Sequence, residues 1–470
     1  MRRISADALR GNLSFLASDA LEGRNTPSRG LDIAAEFIAS QFRSAGLEPA
    51  GDDGYFQTAE LKELEPAKEG FEMKIEQGGR TIAVAREAIT SRFYAALELE
   101  HAGIYKLDRD NEKALASLKP EDVAGKVVVA ELPEFGGTEA EGASRKFREE
   151  MRAIERAKPR LALLLASHPL PEVTNRFSTA ETRAASEKPR IVVRSAEVSE
   201  WYRTLKPGPT DATLTLHLAP AQEKPVKLRN VIGLLRGSDP ELRDTYVLLT
   251  AHYDHLGVGP EGAVFHGAND DGSGTVSVME IASALAKMDP RPKRSVVFMT
   301  FFGEEEGELG SKYYAEHPVF PVEKTVADVN LEQLGRTDAS DGAQIDRATF
   351  TGFRYSNLPR IFQEAGARTG VRVLSDEKYG DSYFARSDNE ALAKLGVPAH
   401  TLAVAFEFPD YHLVTDTWQK IDYENMAKVD RMVALGVIML ADDAVPPKWN
   451  AAEPQAEPYA KAWKTLHKQN

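Results

Sequence analysis

The sequence predicts an α/β protein built on a mixed, mostly parallel sheet flanked by helices. Three observations carry that expectation. From Asn230 onward, near-continuous apolar runs (NVIGLLRG, TYVLLTAHYD, SVVFMTFFG, VADVNLEQLG, VPAHTLAVA) read as strands covered on both faces. Helical segments such as TVSVMEIASALAKM lie between several of them, and such alternation implies parallel pairing. Chelating side chains follow the strands directly, where open α/β sheets bind their ligands.

Taken in order, the first ~60 residues read as helices. The segment LDIAAEFIASQFRSAG sets Ala34, Phe37, Ile38, Phe42 and Ala45 at helical spacing and stops at Gly46. From about 70 to 225 the character changes. Short β-like runs (KVVVAELP, ALLLASHP, PRIVVRSA, ATLTLHLAP) alternate with charged helical stretches such as ASRKFREEMRAIERAKPR, which predicts a separate unit. The expected boundaries are 1–68 with 226–446 for the main domain, 69–225 for an insert and 447–470 for a surface tail. The last long helix, YENMAKVDRMVALGVIMLADD, carries Met426, Val429, Met432, Val433, Val437 and Leu440 on one face.

Bulk composition narrows the function classes. A chain of 470 residues is longer than one core usually serves. The formal charge of −14 argues against nucleic acid or an anionic membrane as the main partner. There is no cysteine, so disulfides, thiolate catalysis and cysteine-bound zinc are excluded, and His, Asp and Glu remain as metal ligands. No window approaches the ~18 consecutive apolar residues of a membrane span. The start, MRRISADALRGNL, is basic without an apolar stretch and does not read as a signal peptide.

The strand ends supply the chemistry. After TYVLLT come His252, Asp254 and His255; GANDDGSG then leads into a helix with Asp270 and Asp271. SVVFMTFF is followed by Glu304, Glu305 and Glu306, VADVNL by Glu332, and DYHLVTDT carries His412 and Asp416. Histidines and carboxylates at successive strand ends suit a borderline-hard divalent cation. His252 and Asp254 are two apart, so on an extended strand they share a side. His252 can then bind a metal while Asp254 accepts its other ring N–H. Adjacent Glu304 and Glu305 point apart, so one can bind metal while the other serves as general base. Zinc, for example, lowers the pKa of its bound water to about 7, within reach of such a base. Glu306 is expected to be solvated. Glu308 has no assigned role. His255 and His266 are expected in supporting or surface positions, and His400 in a core strand.

Together, AHYDHLG, GANDDGSG, the EExGxLGS pattern in EEEGELGS, NLEQLGR and DYHLVTDT resemble the co-catalytic di-zinc exopeptidases. That superfamily includes aminopeptidase Y, aminopeptidase S and glutamate carboxypeptidase II. LSFLASDALEGRNTPSRG is similar to its bacterial branch. The resemblance implies a zinc-exopeptidase (phosphorylase/hydrolase-like) sheet and a PA-like domain in the insert. It implies two zinc ions held by His252, Asp270, Glu305, Glu332 and His412, with Asp270 bridging. It further implies Asp254 orienting His252, Glu304 as the base, and a cis peptide at Asp270–Asp271. One departure stands out: Glu332 occupies a position where the family carries aspartate. The stretch YGDSYFARSDNEAL, with Tyr379, Asp381, Arg386 and Asp388, matches the region that shapes the substrate pocket.

The resulting expectation is a metal-dependent aminopeptidase acting on peptides. The alternatives are a carboxypeptidase or glutaminyl-cyclase-like enzyme on the same fold, or a binding protein on a degenerate peptidase scaffold. Export to the periplasm or medium follows from the resemblance, with a cytoplasmic location left open.

Overall fold

Unbroken runs of β-branched and large apolar residues have no polar face, so they are stable only as strands covered on both sides. The runs after Asn230 fold in that way. The computed structural model describes residues 3–65, 67, 69–91, 94–108, 111–132, 140–166, 176–179, 189–259, 262–339, 342–376 and 378–468. The chain divides into two units, Met1–Glu60 with Lys227–Asn470, and Leu61–Val226.

The larger unit holds a nine-stranded sheet. Its strands are β1 (Glu48–Pro49), β2 (Phe56–Glu65), β3 (Gln222–Leu235), β4 (Tyr246–His252), β5 (Ser295–Phe301), β6 (Thr325–Glu332), β7 (Arg347–Phe350), β8 (Arg372–Ser375) and β9 (Ala399–Ala403). They lie in the order β1-β3-β5-β4-β6-β9-β7-β8, with β2 also paired to β3. The central strands β5, β4, β6 and β9 are parallel. β3 joins β5 and β7 joins β9 antiparallel, while β8 runs parallel to β7. The sheet is therefore mixed and mostly parallel, as the sequence predicts.

Eight helices belong to this unit among the described residues: α1 (Ala6–Leu16), α2 (Arg29–Ala45), α3 (Gly274–Leu285), α4 (Leu309–Glu316), α5 (Leu358–Thr369), α6 (Asn389–Leu395), α7 (Tyr423–Asp442) and α8 (Glu457–Leu466). α2 starts at Ser28, whose side chain accepts the Leu31 amide, and ends at the left-handed Gly46. Leu248, Val297, Met299 and Phe301 pack with Tyr314 of α4, Leu392 and Ala393 of α6, and Trp449. The intervening Val247, Leu249, Val296 and Phe298 point to the opposite face and are equally buried. α3 lies against β4, β5 and β6, with α1, α2 and α7 packed on it.

Trp449, Ala456 and Ala460, within residues 447–470 expected as a surface tail, contribute to this core. The Trp449 indole N–H donates to the Gly396 carbonyl at 2.7 Å, and Ala456 and Ala460 are buried. A tryptophan with its one donor satisfied inside an apolar cluster anchors the segment.

The smaller unit has an eight-stranded sheet of its own. Strands Leu97–Lys106, Val127–Glu131, Leu161–Leu165 and Arg190–Val193 run parallel in succession. Alternate residues of these strands feed two separate apolar clusters, one around Val127, Val129 and Leu163 and one around Val128, Ala130 and Leu164. Among the described residues, no helix is long and apolar enough to cross a membrane.

One buried acid lies apart from the strand ends. Asp430 of α7 sits fully buried beside Ser277 of α3, and burial pushes its carboxyl up to about 8. Unfolded, the same group titrates near 3.9. The folded chain thus binds the extra proton between those values, so this group makes stability fall as pH rises from about 4 to about 8. Asp430→Asn should remove that component. Thermal unfolding should show the variant gaining on the wild type as pH rises through this window, and parallel profiles would contradict the assignment.

Candidate metal centre

β5, β4 and β6 are parallel neighbours, so the residues after them reach one edge of the sheet. β4 ends on His252, β6 ends on Glu332, and Glu304 follows the end of β5 by three residues. His252 Nδ1 lies 3.5 Å from Asp254 Oδ1. Asp254 in turn accepts the Thr26 hydroxyl at 3.2 Å and the Glu304 amide at 3.1 Å. One carboxylate therefore ties the end of β4 to the turn after β5 and to the N-terminal loop.

Asp270 stands in the ANDDGS turn that opens α3. Gly267, just before it, has φ +56°, and a Cβ there would lie 2.4 Å from His255 Cγ, so only glycine fits. The Asp270–Asp271 peptide is cis. The amides of Asn269 and Asp270 donate to the Asp416 carboxylate at 2.9 and 3.2 Å. Asp271 Oδ1 accepts the Gly274 and Gln333 amides, each at 3.1 Å, which fastens this turn to the residue after Glu332. With its backbone held, Asp270 places Oδ1 3.5 Å from His252 Nε2 and Oδ2 3.1 Å from His412 Nε2.

The remaining groups close around it. Glu305 Oε1 lies 3.3 Å from His412 Nε2, and Glu304 Oε2 lies 3.9 Å from His252 Nε2. His412 comes from the loop between β9 and α7, on a left-handed residue (φ 54°), with its ring stacked 4.0 Å from Tyr411. Glu332 accepts a short hydrogen bond from the Ser387 hydroxyl, which itself receives the Asn330 amide at 2.8 Å. A cavity of about 60 Å³ opens beside Glu332, lined by Tyr383, Arg386, Phe406, Glu407 and Tyr411. A larger one, about 480 Å³, lies elsewhere among Arg354, Arg360, Lys448 and Trp449 and contains none of these ligating groups. Chemistry rather than volume identifies the site.

The electrostatics follow from packing so many carboxylates out of water. Burial pushes Glu304 and Asp388 well above the usual carboxylate range, and raises Glu332 to about 7. Burial also acts on Glu305, but the imidazoles of His255 and His412 outweigh it and hold that carboxyl at about 2. Burial would lower His412, yet Asp270 and Glu305 bring it to about 10. Asp270 Oδ2, Glu305 Oε1 and His412 Nε2 are buried and make no hydrogen bond. Buried, unpaired polar atoms facing one another are costly unless a cation joins them. Imidazole and carboxylate donors of this kind fit zinc or a similar divalent ion.

Several neighbours were not legible as participants. Arg24, which is 1 % exposed, donates to the carbonyls of Leu16, Tyr253, His266 and Gly267. Burial lowers its pKa to about 10, while Asp254, Asp416, Asp271 and Asp270 pull the other way. It is a buried cation beneath the acidic edge. Ser387 donates to Glu332, whereas Asp381 of the same stretch pairs with Arg354 at 3.3 Å. Tyr379 packs on Tyr383, 5.2 Å between ring centres.

Of the other expectations, the one for Glu306 is adjusted, while His400 and His266 lie where the sequence places them. Glu306 is buried rather than solvated, because the turn closed by the Gly307 and Glu308 amides on the Glu304 carbonyl keeps it inside. Glu308 precedes α4 with φ 60° and lies 3.7 Å from Lys312 Nζ, one helical turn on. His400 is a core histidine, bonded to Thr351 O and Ser356 Oγ and lowered to about 4 by burial. His266 contacts Asp19 at 2.7 Å near the surface. His255 is enclosed against Glu305.

Residues 230–437 match the sequence pattern of Peptidase family M28. A protein described as a probable glutamate carboxypeptidase from Zea mays is 29 % identical over 224 residues, 46 % of this chain and 29 % of that protein. A vacuolar membrane protease from Verticillium alfalfae is 39 % identical over 130 residues, 28 % of this chain and 11 % of that one. The alignments thus span less than a third of these relatives' length. Among solved structures, an aminopeptidase from Aneurinibacillus sp. strain AM-1 superposes with TM-score 0.64 at 20 % identity, covering 93 % of this chain and 94 % of that one. A zinc aminopeptidase from Bacillus subtilis gives 0.58 at 19 % identity, covering 92 % and 94 %. At that identity the superpositions speak to the fold.

The Asp416 carboxylate should matter to cation binding without touching the cation. Asp416→Ala releases the Asn269 and Asp270 amides, and its zinc affinity, measured by competition with a chelating dye, should fall by about 10–100-fold. An unchanged affinity would show that the turn holds its shape unaided.

Proposed function

We propose that the chain is a metal-dependent exopeptidase, an aminopeptidase releasing N-terminal residues from peptides with two zinc ions, a reading supported by the match of residues 230–437 to the pattern of Peptidase family M28. The observation that best supports this reading is the placement of Asp270, whose two carboxylate oxygens face different histidines, His252 and His412. A carboxylate so placed can bridge two cations. His252 and Glu332 would complete one position, and Glu305 and His412 the other. Within the same reading, residues 69–225, inside the smaller unit Leu61–Val226, are the inserted PA-like domain.

Bound zinc would supply polarisation of the scissile carbonyl and acidification of the attacking water. The chain's own part falls to Glu304. Its amide is fixed to Asp254 at 3.1 Å, and burial keeps its carboxyl avid for a proton. It takes the proton of the attacking water and delivers it to the leaving amine. Asp254 also keeps the His252 ring oriented, so base and ligand share one anchor. The acidic edge suits a free α-ammonium, and the cavity beside Glu332 would take the adjoining side chain.

Glu304→Gln should retain both zinc ions and lose about 10²–10⁴-fold in kcat/KM on aminoacyl anilides. Full activity in that variant would remove Glu304 from the role of base. The resemblance to a maize carboxypeptidase gives the substrate panel its second arm. Aminoacyl anilides should be cleaved while C-terminally free, N-blocked dipeptides and N-terminal glutamine peptides are not. The reverse preference would establish a carboxypeptidase or cyclase.

A further inference from the structure

His255 is buried on all sides, yet neither ring nitrogen makes a hydrogen bond. Its Nδ1 lies 2.9 Å from Glu305 Oε1, close but without hydrogen-bond geometry. The ring is held in place. Its backbone amide donates to the Arg24 carbonyl at 3.2 Å, and the absent side chain of Gly267 leaves the space it occupies. The His412 ring stands edge-on at 5.7 Å. Donor atoms of His255, Asp270 and Glu305 all lie within 4.8 Å of one another.

Two donors on one tetrahedral zinc, with bonds of about 2.0–2.1 Å, lie about 3.3 Å apart. The contacts His255–Glu305 at 2.9 Å, His412–Asp270 at 3.1 Å and His412–Glu305 at 3.3 Å all approach that separation. A buried imidazole with both nitrogens unpaired is otherwise costly. A hydrogen bond orienting Glu305 would explain the distance but not the missing geometry.

We propose that His255 is a protein ligand of the cation held by Asp270 and Glu305, alongside His412. The inference rests on the two-cation reading above. It makes the two positions unequal. The His255 side is enclosed and rich in donors, while His412 contributes from a loop with about a third of its side chain exposed. The Asp270–Glu305 position therefore holds its cation more tightly than the His252–Glu332 position and keeps it longer against a chelator.

The test is cation binding to the full chain, followed by zinc analysis after dialysis and by the visible spectrum of the cobalt(II) form. Wild type should bind two cations of unequal affinity. His255→Gln should weaken the tighter one by at least about 10–100-fold and change the cobalt spectrum, while His252→Ala removes the weaker one and leaves the tighter intact. In X-ray absorption at the zinc edge, which needs no variant, three imidazoles should be shared by two zinc ions. Wild-type affinities and spectrum in a folded His255→Gln, or two imidazoles per two zinc ions in the wild type, would overturn the proposal. Binding of fewer than two cations by the wild type would instead strike at the two-cation reading, and loss of a lone cation in His255→Gln would still support His255.

Discussion

The rest of the structure depends on one arrangement: the Asp270 carboxylate held rigidly between His252 and His412 at the end of a buried parallel sheet. Its geometry is imposed from outside. Asp416 grips the amides before it, Asp271 fastens the turn to the residue after Glu332, and Gly267 leaves room for the neighbouring ring. Each grip spans elements distant in sequence. Only a folded sheet brings them together, so the candidate centre is a product of the tertiary fold, not of a local motif.

That arrangement concentrates negative charge where water is scarce. Asp254, Asp270, Glu304, Glu305, Glu332 and Asp388 share a small volume, and burial raises several of them. The chain answers in two ways. Arg24 places a permanent cation below the edge, spending its guanidinium on four backbone carbonyls and thereby bracing three loops at once. The histidines answer from above. What remains is a set of buried atoms without hydrogen-bond partners, a site shaped for a cation.

Much of the fold was legible because central strands announce themselves. SVVFMTF and YVLLTAH have no polar face, and the structure buries them accordingly. His252, Asp254, Asp270, Glu304, Glu305, Glu332 and His412 stand out in the sequence as candidates because they follow strands whose ends meet at one edge of a parallel sheet, while their separate roles come from the family resemblance. Arg24 and Ser387 do not, and Asp416, though named beside His412, gives no sign in the sequence that it grips the amides of Asn269 and Asp270, since these roles arise from contacts with distant backbone or from a loop's path. Glu306 misled because a charge in an acidic run looks solvated, and a tight turn decided otherwise. His255 reads from the sequence as a supporting or surface residue, and its significance lies in a distance to Glu305 that only the fold creates. Trp449 shows the same limit: a proline-containing tail gives little hint that its indole completes a core.

The two-cation site is the claim on which function turns. Crystals of the zinc-loaded chain, measured on both sides of the zinc absorption edge, test it most directly. Two anomalous peaks about 3.5–4 Å apart are expected, one on each side of Asp270, towards His252 and towards His412. A single peak, or none at this edge, would contradict it.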